Sequence, residues 1–231
     1  MEKQKKWCLA AAVFAVISML ALAPVYGLPS SKEVDQVVQH KEYVLGFDFE
    51  TNCALWVSYD LTPDEYKNIN AVERKDNFRP DALVAIEHRV VAADYKKSGY
   101  DKGHLAPADH FEYSFDAMND TFFMSDMVPQ THKMNAGQWK AIEADMHDDK
   151  AKRATTIYRI CGPIFDGKAP VYIGSQHKIR VPSACYSIVY WKENGVWKFE
   201  CYIVTQENEM RQSSVDEIAK LTKIDFDLLK E

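Results

Sequence analysis

Two apolar runs of strand length, Ala184–Trp191 and Val196–Thr205, flank Glu193-Asn194-Gly195. Asn-Gly suits the two positive-φ positions of a tight turn, so these runs predict an antiparallel hairpin. Thr155–Cys161, ahead of Gly162-Pro163, reads as a further strand. Glu42–Phe49 and Leu55–Leu61 alternate as strands with Asn52 in the turn between them. Helical signals are interspersed. Thr62-Pro63-Asp64-Glu65 has the form of a capped helix start. Trp139, Ile142 and Met146 recur at three- and four-residue steps, which predicts a helix from about Ala136 to about Asp149. Asn135 is expected to cap it, and Asp148-Asp149 followed by Lys150, Lys152 and Arg153 to close it. Ile218 and Leu221 mark a last helix, capped by Ser213 or Ser214. Residues 28–41 read as a loose terminus, 66–100 as a long loop, and 101–133 as largely irregular. Strands and helices mixed in this way, with an antiparallel hairpin, indicate an α+β fold.

The N-terminus differs in character from the rest. Lys3, Lys5 and Lys6 precede an uncharged, mostly apolar run from Trp7 to Ala23, and Val25-Tyr26-Gly27 ends it. This is the three-part build of a secretory signal peptide over residues 1–27. A single domain is then expected over 28–231, secreted or periplasmic, with no stable membrane association after cleavage. Loss of residues 1–27 takes the formal charge from −6 to −8, because three lysines and one glutamate leave. Attraction to a polyanion by overall charge is therefore excluded, and a phosphate would have to be held by a metal and a local cationic patch. Cys53, Cys161, Cys185 and Cys201 remain in an exported chain, so disulfides and buried thiols are both open. No Cys-x-x-Cys pair marks a zinc site.

Three short segments carry the residue types of a reaction centre. They are Asp101-Lys102-Gly103-His104, Ser125-Asp126 with Pro129-Gln130, and Asn135 with Trp139 and Glu143. Steps of four and eight residues put Asn135 and Glu143 near one helix face, two turns apart. An amide oxygen and a carboxylate are hard donors suited to Mg²⁺ or Mn²⁺. A neutral imidazole near such an ion can take a proton from water. Ser125 lacks the Gly-x-Ser-x-Gly surroundings of a nucleophile. The other histidines, His40, His88, His110, His132, His147 and His177, read as structural, although His110 and His132 lie in loops beside the motif where a substrate contact is open to them.

In this order the segments resemble the DNA/RNA non-specific endonucleases of the ββα-metal class. The family pattern is Asp-Arg-Gly-His, then Ser-Asn with Pro-Gln, then Asn with Trp and Glu four and eight residues on. Arg74, Phe78 and Asp81 resemble its upstream segment, and Cys161-Gly162-Pro163 and Val181-Pro182 resemble its later strands. The resemblance implies a ββα-metal fold with a central, mostly antiparallel sheet flanked by helices. It implies hydrolysis of DNA and RNA, one Mg²⁺ (Mn²⁺ as substitute), 5′-phosphate ends and a homodimer. By position, His104 matches the general base and Asn135 the direct metal ligand. Glu143 matches the carboxylate that orients metal-bound water, and Arg74 the cation that stabilises the transition state. Lys102 and Asp126 are expected at the substrate, and both depart from the pattern. Lys102 stands where the family has Arg and lacks the planar fork that suits phosphate. Asp126 stands where the family has Asn and adds a charge. Those departures and the acidic balance raise two rivals: an exported nucleic-acid-binding protein with a worn site, and a phosphoesterase of small phosphodiesters.

Overall fold

A computed structural model describes residues 28–30, 32–148, 155–167 and 169–226. The signal peptide expected over 1–27, and Asp149, Lys150, Lys152 and Arg153, lie outside the described residues.

The central sheet has seven strands. They are β1 (Gln36–Gln39), β2 (Tyr43–Asp48), β3 (Cys53–Leu61), β6 (Ile157–Ile164), β9 (Ala184–Glu193), β10 (Val196–Thr205) and β11 (Met210–Gln212), hydrogen-bonded in that order. Every neighbouring pair in it is antiparallel. The expected hairpin is β9–β10, with Val196 opposite Glu193 and positive φ at Asn194 and Gly195. Asn52, at φ 53°, turns β2 into β3 as expected. The fold is thus α+β, as the sequence predicted.

Strand alternation gives the sheet two apolar faces. Leu45, Val57, Tyr59, Cys161 and Val189 point into the larger core, shared with Leu105, Val128, Met134 and Trp139. Val44, Trp56, Ile160 and Ile188 point the other way, against Ile218, Ile224 and Phe226 at the C-terminal end. The last of the five α-helices, α5 (Val215–Thr222), covers that second face, capped by Ser214. The shorter helices are α1 (Pro63–Lys67), α2 (Phe115–Asp120) and α3 (His132–Met134); a π segment (Asn135–Trp139) joins α3 to α4 (Lys140–Asp148) with a kink at Gly137, so the helix expected from about Ala136 is regular only from Lys140. Thr62 and Glu65 form a reciprocal capping box at α1, each bonding the other's backbone N–H.

Four sequence expectations need correction or resolution. Residues 28–41 are not all loose, because Gln36–Gln39 pairs with β2 as an edge strand. Residues 101–133 are not all irregular: Asp101–His104 forms β4 and Met127–Gln130 forms β5, paired antiparallel with His104 opposite Met127. Asn135 is not the helix cap. Thr131 is, its hydroxyl accepting from the Met134 N–H, so Asn135 sits one turn inside the helix. The four cysteines are separate buried thiols rather than disulfides. A small hairpin of β7 (Tyr172–Ile173) and β8 (Ile179–Arg180) completes the strands. No described helix is long and apolar enough to cross a membrane.

Candidate active site

The β4–β5 pair followed by the Thr131-capped helix is a ββα unit seated on the larger core. Two hydrogen bonds lash strand to helix. At the start of β4, Asp101 Oδ2 accepts from Asn135 Nδ2 at 3.1 Å. At its end, the His104 carbonyl accepts from Trp139 Nε1 at 3.0 Å. Between Asn135 and Trp139 the chain kinks at Gly137 (φ −103°, ψ −116°), so the two residues reach the strand from either side of a break in the helix and not by its regular period. Gly103 lets the pair close. A Cβ there would lie 2.2 Å from Gln130 Cδ, and Gln130 is itself fully buried, its Nε2 donating to Cys185 Sγ.

His104 sits in an aromatic corner. Its ring lies 5.7 Å from that of Phe78 and 5.2 Å, edge-on, from that of Phe122. The same two rings carry the cations. The Arg74 guanidinium lies over Phe122 at 5.3 Å, and the Lys102 ammonium over Phe78 at 4.4 Å. Arg74 is also steadied by Asp76 at 2.9 Å. Burial pushes His104 down to about 3, helped by the positive charge of Arg74. The imidazole is therefore neutral across the physiological range. Its Nε2 is buried and has no hydrogen-bond partner among the described residues.

Glu143, on α4, is buried, and its Oε1 accepts no hydrogen bond from a described residue. Burial raises its carboxyl to about 8, and the Arg159 guanidinium, 3.6 Å away, opposes that rise. Arg74 influences both His104 and Glu143, so its charge reaches both. With Asn135 Nδ2 turned to Asp101, the amide Oδ1 is left as a donor for a cation. Among the described residues no three His, Cys, Asp or Glu side chains converge to cage a metal.

Two residues that the sequence left near a substrate are buried. Asp126 is fully buried, so its side chain cannot lie against a bound polymer. Its Oδ1 accepts from the Ala106 N–H at 2.9 Å, its backbone carbonyl accepts from Leu105, and together they fix the chain leaving β4. Burial pushes its carboxyl well above the usual range. His110 is likewise buried, between Tyr59 and the Glu143 carbonyl, and not at a substrate surface. His132 is exposed and bonds Asp101 at 2.9 Å.

A profile of the family described as DNA/RNA non-specific endonuclease matches residues 24–229. The chain belongs to the DNA/RNA non-specific endonuclease family. Mitochondrial endonuclease G of Homo sapiens is 34% identical over 184 residues, 74% of this chain and 58% of that protein. Nuclease C1 of Cunninghamella echinulata var. echinulata is 31% identical over 161 residues, 66% of this chain and 64% of that protein. The chain thus spans somewhat under two thirds of the length of these relatives. A chain of the solved EndoG/EndoGI complex superposes with a TM-score of 0.76 at 26% identity, covering 86% of this chain and 87% of that one. This member of the family therefore has the family's ββα architecture.

The sequence left the roles of several site residues unread. Phe78 was read only as part of the upstream resemblance, and no polar chemistry marked it or Phe122 as a platform for charge. Arg159 left a signal that was open to use: a lone cation inside the apolar strand Ile157–Ile164.

Proposed function

We propose that this chain is an exported, metal-dependent endonuclease that hydrolyses phosphodiester bonds of DNA and RNA, leaving 5′-phosphate ends. The observation that carries this reading is the neutral, partnerless Nε2 of His104 in a corner whose walls bear Arg74 and Lys102. A base and two cations at one point are what attack on a phosphodiester needs.

In this reading His104 Nε2 takes a proton from the attacking water. Glu143 Oε1 accepts a hydrogen bond from a water and orients it. Arg74 and Lys102 balance the charge that grows on the phosphate oxygens, Lys102 as a point charge rather than a fork. Asn135 Oδ1 is the direct ligand, and Mg²⁺, or Mn²⁺ in its place, supplies Lewis-acid charge at the phosphate and its leaving oxygen when bound. The burial of Asp126 removes one argument for a worn site, since its side chain is turned away from solvent and bonded to the Ala106 N–H. Cleavage of a signal over 1–27, a single domain over 28–231, a secreted or periplasmic location and a homodimer belong to the same proposal.

Purified protein with Mg²⁺ should degrade both plasmid DNA and RNA on a gel, and a chelator should stop it. Folded protein that leaves both polymers intact, or that cleaves only a small nitrophenyl phosphodiester, would refute the reading. Asn135→Ala should raise the Mg²⁺ concentration at half-maximal rate about tenfold, which about 1.4 kcal/mol of lost binding suffices to do. An unchanged Mg²⁺ titration would remove Asn135 from the metal.

A further inference from the structure

Arg159 projects from β6 to the same side as Ile157 and Cys161, which is the face that carries the ββα unit. Its relative exposure is 0%. Taking a guanidinium out of water costs several kcal/mol unless its hydrogen bonds are met. Most of them are. Nε donates to Ser187 Oγ at 3.1 Å and Nη1 to the Tyr59 hydroxyl at 3.1 Å, while the plane lies 5.1 Å from the centre of the Trp139 ring.

Those bonds form a circuit with one polarity. Arg159 Nη1–H donates to the Tyr59 oxygen. That hydroxyl then donates to His110 Nδ1 at 2.9 Å, and His110 Nε2–H donates to the Glu143 carbonyl at 3.1 Å. Only the Nε2–H tautomer of His110 satisfies both of its bonds. The same Nη1 returns to within 3.6 Å of Glu143 Oε1. Glu143 is thus gripped twice, through its backbone by the far end of the circuit and through its carboxylate by the near end. Three buried polar atoms of this neighbourhood, Arg159 Nη2, Glu143 Oε1 and Asp126 Oδ2, have no hydrogen-bond partner among the described residues.

We propose that Arg159 is a positioning residue for the reaction, holding Glu143 in one orientation through Tyr59 and His110 as well as directly. Among the described residues of α4, Glu143 is the buried carboxyl, and it is the one that Arg159 approaches. The inference rests on the nuclease reading above and assigns to β6 a part in the work of Glu143.

A double-mutant cycle on the full chain separates this role from plain stability. kcat and KM on DNA are measured for wild type, Arg159→Met, Glu143→Gln and the double variant, with circular dichroism as the check of folding. Removing a group that orients a catalytic group lowers activity about 10- to 100-fold. Arg159→Met should show that loss in kcat, with KM little changed. In the Glu143→Gln background the same change should lower kcat less than about threefold, because the partner it acts through is already gone. Tyr59→Phe, a gentler cut of the circuit, should give a smaller loss that also vanishes beside Glu143→Gln. It decides the matter if Arg159→Met does not fold. Losses that multiply independently in both pairs would overturn the proposal while leaving the nuclease reading intact. A wild type that cuts nothing overturns that reading and this one with it.

Discussion

Replacing His104 with alanine should slow phosphodiester cleavage by on the order of 10²–10⁴, the usual contribution of a positioned general base. The residue ends β4, and its backbone carbonyl, not its ring, receives the Trp139 bond that lashes strand to helix. Truncation leaves that bond in place. The far-ultraviolet spectrum should therefore match that of wild type, and the Mg²⁺ dependence of residual cleavage should be little altered. A variant cutting within tenfold of wild type would remove His104 from the reaction. The pH profile gives a second reading of the same role. With His104 pushed down to about 3 by burial and by Arg74, the imidazole is already deprotonated at pH 5. The sign is definite: a lowered value moves the acid limb of activity below the ordinary histidine value of 6.5. A steep loss of cleavage centred near 6.5 would mean that the base is hydrated when it works.

Gly162→Ala should destabilise the fold by about 3 kcal/mol or more, with no contact to the site. Gly162 lies on β6, next to the sheet's central β3–β6 and β6–β9 ladders. A Cβ there would stand 2.1 Å from the Leu55 carbonyl oxygen and 3.0 Å from the Tyr186 ring. That carbonyl accepts a hydrogen bond from the Tyr186 hydroxyl at 3.1 Å. The methyl group can be accommodated only if backbone moves, which parts β3 from β6 and breaks the Tyr186 bond. Overpacking costs about 1–3 kcal/mol and sometimes more, and a lost buried hydrogen bond about 1 kcal/mol or more. For a domain of this size, each kcal/mol lowers the melting temperature by roughly 2–4 °C. A fall of roughly 6–12 °C is therefore expected by calorimetry. Gly167→Ala, where nothing lies within 4 Å of the added methyl, is the control and should melt with wild type. Equal melting of the two variants would show that the Leu55 carbonyl can yield.

The segments read correctly were those whose signal is local. Asn194-Gly195 sets the turn of β9–β10 through its own backbone angles, and Thr62 and Glu65 cap α1 within four residues. The segments misread depend on partners far away in the chain. β4 contains Lys102 and Gly103, and β5 contains Pro129, none of them a strand former by preference. They pair because Gln130 folds across Gly103 and the Asp126 carbonyl takes the Leu105 N–H. Asn135 looked like a cap because the apolar period begins after it. Thr131 takes that role, and its own N–H is bonded by Gln206, 75 residues away.

The order Asp101–His104, Asn135, Glu143 was enough to name the family, because those residue types at that spacing carry the resemblance. It could not say what surrounds them. Phe78 and Phe122 carry Arg74 and Lys102, and Arg159 stands behind Glu143, only through contacts between segments tens of residues apart. The meaning of Asp126 changed for the same reason. On paper it was a new negative charge at the phosphate, but folding takes it out of water and raises its carboxyl well above the usual range. Charge belongs to a side chain and its solvent together, and the solvent a residue keeps is settled by packing.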